Sequence, residues 1–233
     1  LEIPRNCPPR SLEFLMNACQ DADQVIQHNA RAAIRALQAQ ESREAVCQLF
    51  LSGGRLEARQ IALDAGYLPA NQEDRALFLF LTEQWQAYET LDFDQRMLRA
   101  VYEAASPDLR QRIARTVQSA GRIEFLHILT GADERLRAGQ MDAGEADLVV
   151  QMLAKNQNWG RLWMLAQNLN LRHSVEIVRL LAANQWSPTQ PEEERLFRQL
   201  SDISRQLLIL SPEDLSLKLP AAVPLATLKV HGR

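Results

Sequence analysis

Three segments of this chain begin alike, with Gly54-Arg55-Leu56, Gly121-Arg122-Ile123 and Gly160-Arg161-Leu162, and the apolar residues that follow recur at helical spacing. Two further segments end alike, with Leu81-Thr82-Glu83-Gln84-Trp85 and Leu181-Ala182-Ala183-Asn184-Gln185-Trp186. Recurring helical units are typical of a solenoid, in which each unit buries its apolar face by stacking on the next. The repetition therefore predicts an all-α fold, an irregular α-solenoid of stacked antiparallel helix pairs.

The helical spacing is clearest in the segment that follows Asp21, a residue that we expect to cap its helix. The apolar residues of this segment recur at one side of a helix, and they are Ile26, Ala30, Ala33, Ile34 and Leu37. The opposite face carries His28, Arg31 and Arg35 within two helical turns. This face is a candidate edge for binding a partner.

A longer segment, from Glu73 to Tyr88, is predicted to be a helix that is buried on several sides. Residues 76–81 are apolar without interruption, and Trp85 and Tyr88 continue the apolar stripe. A helix that is apolar all round is typical of an inner position in a larger fold. Few glycines, and prolines placed mostly between the periodic segments, further favour an all-α body.

The chain is predicted to contain one helical body and one extended tail. The body covers residues 1–216, with a seam at 131–144, the most polar and glycine-dotted interval. In the tail, residues 217–233, two prolines forbid a helix while the apolar residues alternate. We expect the tail to be an extended C-terminal strap, a linker or the start of a following domain. Because the first residue is Leu1 rather than methionine, we expect a fragment of a longer multidomain protein.

The overall charge argues against two classes of partner. A net charge of −3 and a pI near 5.9 give no global field that attracts nucleic acid or an anionic membrane. The apolar runs are shorter than the roughly 18 residues of a membrane span, and no signal-peptide pattern is present, so we expect a cytoplasmic location. The expected partner is a protein or a neighbouring domain of the same chain. The alternative is nucleic-acid binding through arginine-rich faces, the clearest of which contains Arg110, Arg112, Arg115 and Arg122.

Residues suited to catalysis or metal binding are scattered along the chain. The histidines lie far apart in the sequence, at positions 28, 127, 173 and 231, and neither a nucleophile elbow nor a glycine-rich phosphate loop is present. The cysteines, at positions 7, 19 and 47, show no CxxC pair, and the last two lie within apolar helical patterns. We therefore predict no catalytic residue, no cofactor and no metal, and a protein that is not an enzyme. An active site assembled from distant helices is the remaining alternative.

A second candidate for partner binding lies where aromatic and basic residues alternate. Trp159 and Trp163 are four residues apart, with Arg161 between them and Arg172 shortly after. Such a set is suited to a cation–aromatic platform for a base or a methylated peptide. The other interpretation is that both tryptophans pack between helices, as we expect of Trp85 and Trp186. The candidate partner-binding residues are thus His28, Arg31, Arg35, Trp159, Arg161, Trp163 and Arg172.

The stretch from Asp21-Ala22-Asp23-Gln24-Val25 through Ala30, Ala33 and Leu37 resembles a HEAT repeat. The resemblance covers residues 11–66 and is looser beyond them, where the helix pairs depart from the family's period. It implies a protein-binding solenoid, in which partners usually lie on the concave face, and it implies a scaffold or regulatory role. Some HEAT-like proteins act on DNA bases, but these use strongly basic grooves and this chain is mildly acidic.

The last residues, Leu225-Ala226-Thr227-Leu228-Lys229-Val230-His231-Gly232, resemble the opening of a blade in WD-repeat β-propellers. This resemblance implies that the helical region precedes a propeller in a larger protein.

Overall fold

The protein is all-α over the residues that the structure describes, as the sequence predicts. The computed structural model describes residues 9–131 and 138–207, and in these ranges it contains thirteen α-helices, one 3-10 turn and no strand. The chain divides into two compact units, Leu1–Thr116 and Val117–Arg233. Each unit is described separately below.

The first unit contains helices that pack both on the next helix along the chain and on the next helix but one. Their bounds are α1 Pro9–Ala18, α2 Gln24–Arg35, α3 Gln40–Gly53, α4 Leu56–Ala65, α5 Gln72–Leu81, α6 Trp85–Leu91, α7 Arg96–Ala104 and α8 Pro107–Ala120, the last of which extends into the second unit. Helix α1 packs on α2 and α3 packs on α4, while α1 also lies beside α3 and α2 beside α4. Helix α5 contacts α3, α6 and α7. These contacts stabilise helices that are too short to be stable alone.

Tyr67 connects the ends of α4 and α2. It follows the glycine that terminates α4, and its buried hydroxyl lies 2.9 Å from the carbonyl oxygen of Ile34 and 2.8 Å from that of Arg35. The last carbonyls of a helix have no partner within the helix, so the Tyr67 hydroxyl satisfies part of this deficit at the end of α2. The two helices therefore end at the same side of the unit.

Helix α5 lies at the centre of the first unit, as its unbroken apolar run predicts. All residues of 76–81 are buried. The ring of Phe78 meets Phe50 of α3 edge to face at 5.9 Å, and the ring of Phe80 meets Tyr88 of α6 at 5.1 Å. Edge-to-face pairs of this kind stabilise a core beyond the area that they bury.

The prediction of one helix from Glu73 to Tyr88 is wrong, because the chain turns at Glu83. Glu83 adopts the left-handed conformation, with φ 62°, and the N–H of Gln84 donates to the carbonyl oxygen of Leu79 at 2.9 Å. This hydrogen-bond pattern is the Schellman motif, which terminates a helix. Helix α5 therefore ends at Leu81, and Trp85 begins α6.

The same turn recurs in the second unit. Gln157 has φ 53°, and the N–H of Asn158 donates to Leu153 O at 2.9 Å, after which Trp159 begins the next helix. Glu83-Gln84-Trp85 and Gln157-Asn158-Trp159 thus share one kind of turn. At the end of Leu181–Trp186 the left-handed residue is Gln185, and Trp186 follows it directly. Trp85 and Trp159 instead lie two residues after their left-handed residue.

The predicted cap of the second helix is also displaced, by two residues. The side chain of Asp23 accepts a hydrogen bond from Val25 N at 2.7 Å and caps α2, whereas that of Asp21 accepts from Asp23 N at 2.9 Å. Both carboxylates lie in one tight turn, and Asp23 is the residue with extended backbone that a cap requires.

Beyond the end of α8, the described part of the second unit contains a short 3-10 turn, Ile123–Phe125, and five helices that lie entirely within the described ranges. These are α9 Leu126–Thr130, α10 Ala143–Lys155, α11 Trp159–Ala166, α12 Leu171–Ala183 and α13 Pro191–Leu207. From α10 onward each helix packs on the next, and α10 also contacts α9 and α12. Asp142 and Glu145 form a reciprocal capping box at the start of α10.

Several predictions concern residues outside the described ranges. These are the tail at 217–233, Cys7 and His231, together with residues 132–137 of the predicted seam. The boundary between the compact units falls at 116/117, within α8. Among the described helices, none combines the length with the apolar character that a membrane span requires.

Candidate functional site

The predicted basic edge lies on the exposed face of α2. His28, Arg31 and Arg35 are all exposed, because the buried side of the helix is formed by Ala30, Ala33 and Ile34. Arg35 forms an ion pair with Asp64 near the end of α4. The structure thus brings the three predicted residues together and adds a carboxylate that neutralises one of them.

Large apolar side chains are also exposed in the first unit, and the sequence pattern alone does not reveal them. Phe14 is 72% exposed and Leu56 is 69% exposed. They adjoin in sequence the two partners of an ion pair, Glu13 and Arg55, whose charged atoms lie 3.6 Å apart. The middle of α1 and the start of α4 therefore lie close together.

The first turn of α2 also exposes apolar side chains. Its Val25 is exposed, and so is Ile26, which the periodicity wrongly predicts to face the core. Burial is the main cause that raises the pKa of the Cys19 thiol, in the connection after α1, and Glu57 in the first turn of α4 adds to it. We call the exposed residues Phe14, Val25, Ile26 and Leu56 the N-terminal patch.

The predicted aromatic platform is divided between core and surface. Trp163 is 3% exposed, its indole N–H donates to Glu193 at 3.1 Å, and its ring meets Phe197 at 5.5 Å. Its ring therefore packs between α11 and α13. Trp159 and Arg161 are half-buried on α11, and Arg172 is exposed on α12.

The arginine cluster is largely engaged in holding the backbone. Arg110 donates to the carbonyl oxygens of Tyr102 at 3.1 Å and Glu103 at 2.6 Å. Arg112 donates to those of Phe50 at 2.9 Å and Leu51 at 2.7 Å.

A further member of the predicted cluster, Arg122, is engaged in the second unit. It pairs with Glu124 at 2.8 Å. Hydrogen bonding to the Glu124 backbone N–H, and then to Arg122, lowers the pKa of the Glu124 carboxyl. Guanidinium groups used in this way are poorly placed to bind phosphates.

His173 of α12 is a buried histidine with an oxygen at each ring nitrogen. Its Nδ1 lies 3.0 Å from Oδ1 of Asn170, and its Nε2 lies 3.1 Å from Oδ1 of Asp147 on α10. The same Oδ1 of Asn170 accepts the backbone N–H of His173 at 3.1 Å and so caps α12. This contact identifies the Asn170 atom beside the ring as an oxygen rather than a nitrogen.

A second carboxylate approaches the same histidine. Glu176 follows His173 by one helical turn, and one ligand atom from each of Asp147, His173 and Glu176 lies within 4.8 Å of the others. Both carboxylates are exposed, and Glu176 also pairs with Arg172 at 3.3 Å. The spacing of the histidines in the sequence does not reveal this group, because its other members are carboxylates and Asp147 lies on another helix. The available signal was His173-x-x-Glu176 within one helix.

Comparison of the chain with models of known protein families, with curated proteins and with solved structures finds no match. The resemblance to HEAT repeats therefore stays a prediction.

Proposed function

We propose that the chain is a non-catalytic, protein-binding helical module of the HEAT-like kind, acting as a scaffold or regulatory element. The observation that carries the proposal is the N-terminal patch, four exposed apolar side chains in the middle of α1 and in the first turns of α2 and α4. Exposed apolar groups that lie together mark interaction sites more often than single exposed residues do.

The neighbouring basic edge supports a protein partner. His28 and Arg31 adjoin the patch on α2, and an apolar centre with a charged rim is the usual anatomy of a protein interface. The expected partner surface is apolar with acidic residues at its edge. The packing of α1 beside α3 and α2 beside α4 supports a stacked arrangement of helix pairs as the frame of this surface.

Nucleic acid is the weaker candidate. The net charge is −3, and Arg110 and Arg112 donate to backbone carbonyls rather than project as a basic stripe. Binding to a nucleic acid needs many phosphate contacts and falls steeply with salt. Titration of labelled DNA and RNA at two salt concentrations separates this alternative from protein binding.

Reversal of the patch polarity tests the proposal. Phe14→Glu and Leu56→Glu change exposed side chains, so we expect their unfolding free energies to stay within about 0.5 kcal/mol of the parent. In affinity capture from the native cells, both variants should lose a protein that the parent retains. Phe93→Glu is the matched control, because Phe93 is 89% exposed in the connection between α6 and α7.

The outcomes divide clearly. Loss of one captured protein with Phe14→Glu and Leu56→Glu, but not with Phe93→Glu, supports the proposal. An identical set of captured proteins from all variants, or binding of nucleic acid that weakens steeply with salt, would contradict it.

A further inference from the structure

We propose that Asp147, His173 and Glu176 bind a divalent transition-metal ion of the zinc class, which connects α10 to α12. The proposal rests on the ring of His173 and is independent of the N-terminal patch, which lies in the other unit.

The first step concerns the hydrogen atoms of the imidazole. A neutral imidazole carries one N–H, so it can donate to only one of two oxygens. His173 is buried and faces Asn170 Oδ1 through Nδ1 and Asp147 Oδ1 through Nε2. The other ring nitrogen then presents a lone pair to an oxygen lone pair. Either a second proton on the ring or a bound metal ion removes this repulsion.

The second step identifies the side on which the metal lies. Asn170 is an uncharged amide, and its Oδ1 already accepts the backbone N–H of His173. The Nδ1–H of the ring therefore belongs with Asn170, and the lone pair of Nε2 points toward Asp147. Metal-binding histidines usually donate their other N–H to such an oxygen, which fixes the ring orientation.

The third step concerns the ligand set. One imidazole nitrogen and two carboxylate oxygens, completed by water, suit zinc and neighbouring first-row metals. The ligand atoms already lie within 4.8 Å of one another, and both carboxylates are at the surface, where an ion can enter. The competing ion pair of Glu176 with Arg172 involves a side chain that is 82% exposed, and pairs of this kind are weak.

The test uses the whole chain, with any affinity tag removed, and zinc or cobalt ions as the probe. Calorimetry should show one zinc site per chain. Bound cobalt should produce the visible absorption bands of an ion with a low coordination number. We expect Asp147→Asn and Glu176→Gln each to weaken zinc binding at least about tenfold. Both carboxylates are exposed, so circular dichroism should confirm that the variants fold.

Glu194→Gln is the matched control. Like Glu176, Glu194 is a carboxylate of the second unit that pairs with an arginine one turn away on its own helix. Its partner is Arg198, at 2.5 Å. This variant should bind zinc as the parent does. Nuclear magnetic resonance of the imidazole nitrogens should show Nδ1–H and a metal-shifted Nε2.

Two results would overturn the proposal. One is zinc binding that Asp147→Asn and Glu176→Gln leave unchanged, since the ion is then held elsewhere, for example by Cys7 or His231. The other is an imidazole of His173 that carries both protons in the presence of zinc, since its charge is then balanced by Asp147 alone.

Discussion

At the scale of single residues, three helices end on Glu83, Gln157 and Gln185 in the left-handed conformation, with φ between 53° and 62°. Residues other than glycine adopt this left-handed region at a cost of about 1–2 kcal/mol, because their Cβ atom approaches the backbone. The hydrogen bond that follows each of them closes the helix end and offsets part of this cost. A glycine at such a position signals the end of a helix in the sequence, and a glutamine does not.

Gln157→Gly is therefore expected to stabilise the protein. Glycine removes the left-handed strain while losing some entropy, so the unfolding free energy should rise by roughly 0.5–1 kcal/mol. Gly66→Gln is the reciprocal control, because Gly66 has φ 67° and its added Cβ meets no atom within 4 Å. It should destabilise by about the same amount in urea unfolding. A destabilising effect of Gln157→Gly would show that the Gln157 side chain contributes more than its backbone strain removes.

The thiol of Cys47 should be inert in the folded protein. Burial raises its pKa from 9.0 to about 12, so almost no reactive thiolate forms at pH 8. Burial also raises the pKa of the Cys19 thiol. Mass spectrometry after brief iodoacetamide treatment at pH 8 should find both unmodified, and both modified once denaturant is present.

The pH dependence of stability follows from the same shift. The Cys47 thiol ionises near pH 9 in the unfolded chain and near pH 12 in the folded one, so the unfolded state loses its proton first. The contribution of this thiol to stability is therefore present below pH 9 and falls as pH rises from 9 to 12.

The iodoacetamide experiment also has an outcome that would contradict the burial of the thiol. That outcome is modification of Cys47 in the folded protein at pH 8 as fast as in denaturant.

At the scale of elements, helix α4 ends at a signal that is local in the sequence. It spans Leu56–Ala65, and Gly66 caps it in the left-handed conformation, which a glycine adopts at little cost. The break at Glu83 and the exposure of Ile26 could not be predicted, because they depend on which neighbours pack against the helices. The basic edge of α2 follows from spacing alone, whereas the N-terminal patch and the group around His173 each require contacts between helices.

Arg112 shows how one side chain can complete a helix from another element. Its guanidinium satisfies carbonyls in the last turn of α3 and lies 4.9 Å from the ring of Phe50. Burial lowers its pKa, and the carbonyls of a helix C-terminus favour a cation.

Arg112→Ala is expected to destabilise the protein by about 1–3 kcal/mol in urea unfolding, because it leaves these carbonyls unsatisfied. Arg112→Lys should retain only part of the stabilisation that Arg112 provides, since lysine lacks the planar fork of the guanidinium group. Arg115→Ala is the control, because Arg115 is exposed on the same helix and should change stability by less than about 0.5 kcal/mol. Equal effects of Arg112→Ala and Arg115→Ala would contradict the capping role.

At the scale of the whole molecule, the two proposals concern different units. The N-terminal patch lies in the first unit and the group around His173 in the second. Protein binding is the central claim, and it requires that residue 56 lies at an interface in the cell.

Photo-crosslinking tests this claim most directly. A photoreactive amino acid is placed at position 56 or at position 93, both of which are exposed in the free protein. On irradiation in the native cells, position 56 should yield one defined protein adduct that position 93 does not. No protein adduct from position 56, or the same adducts from both positions, would contradict the account.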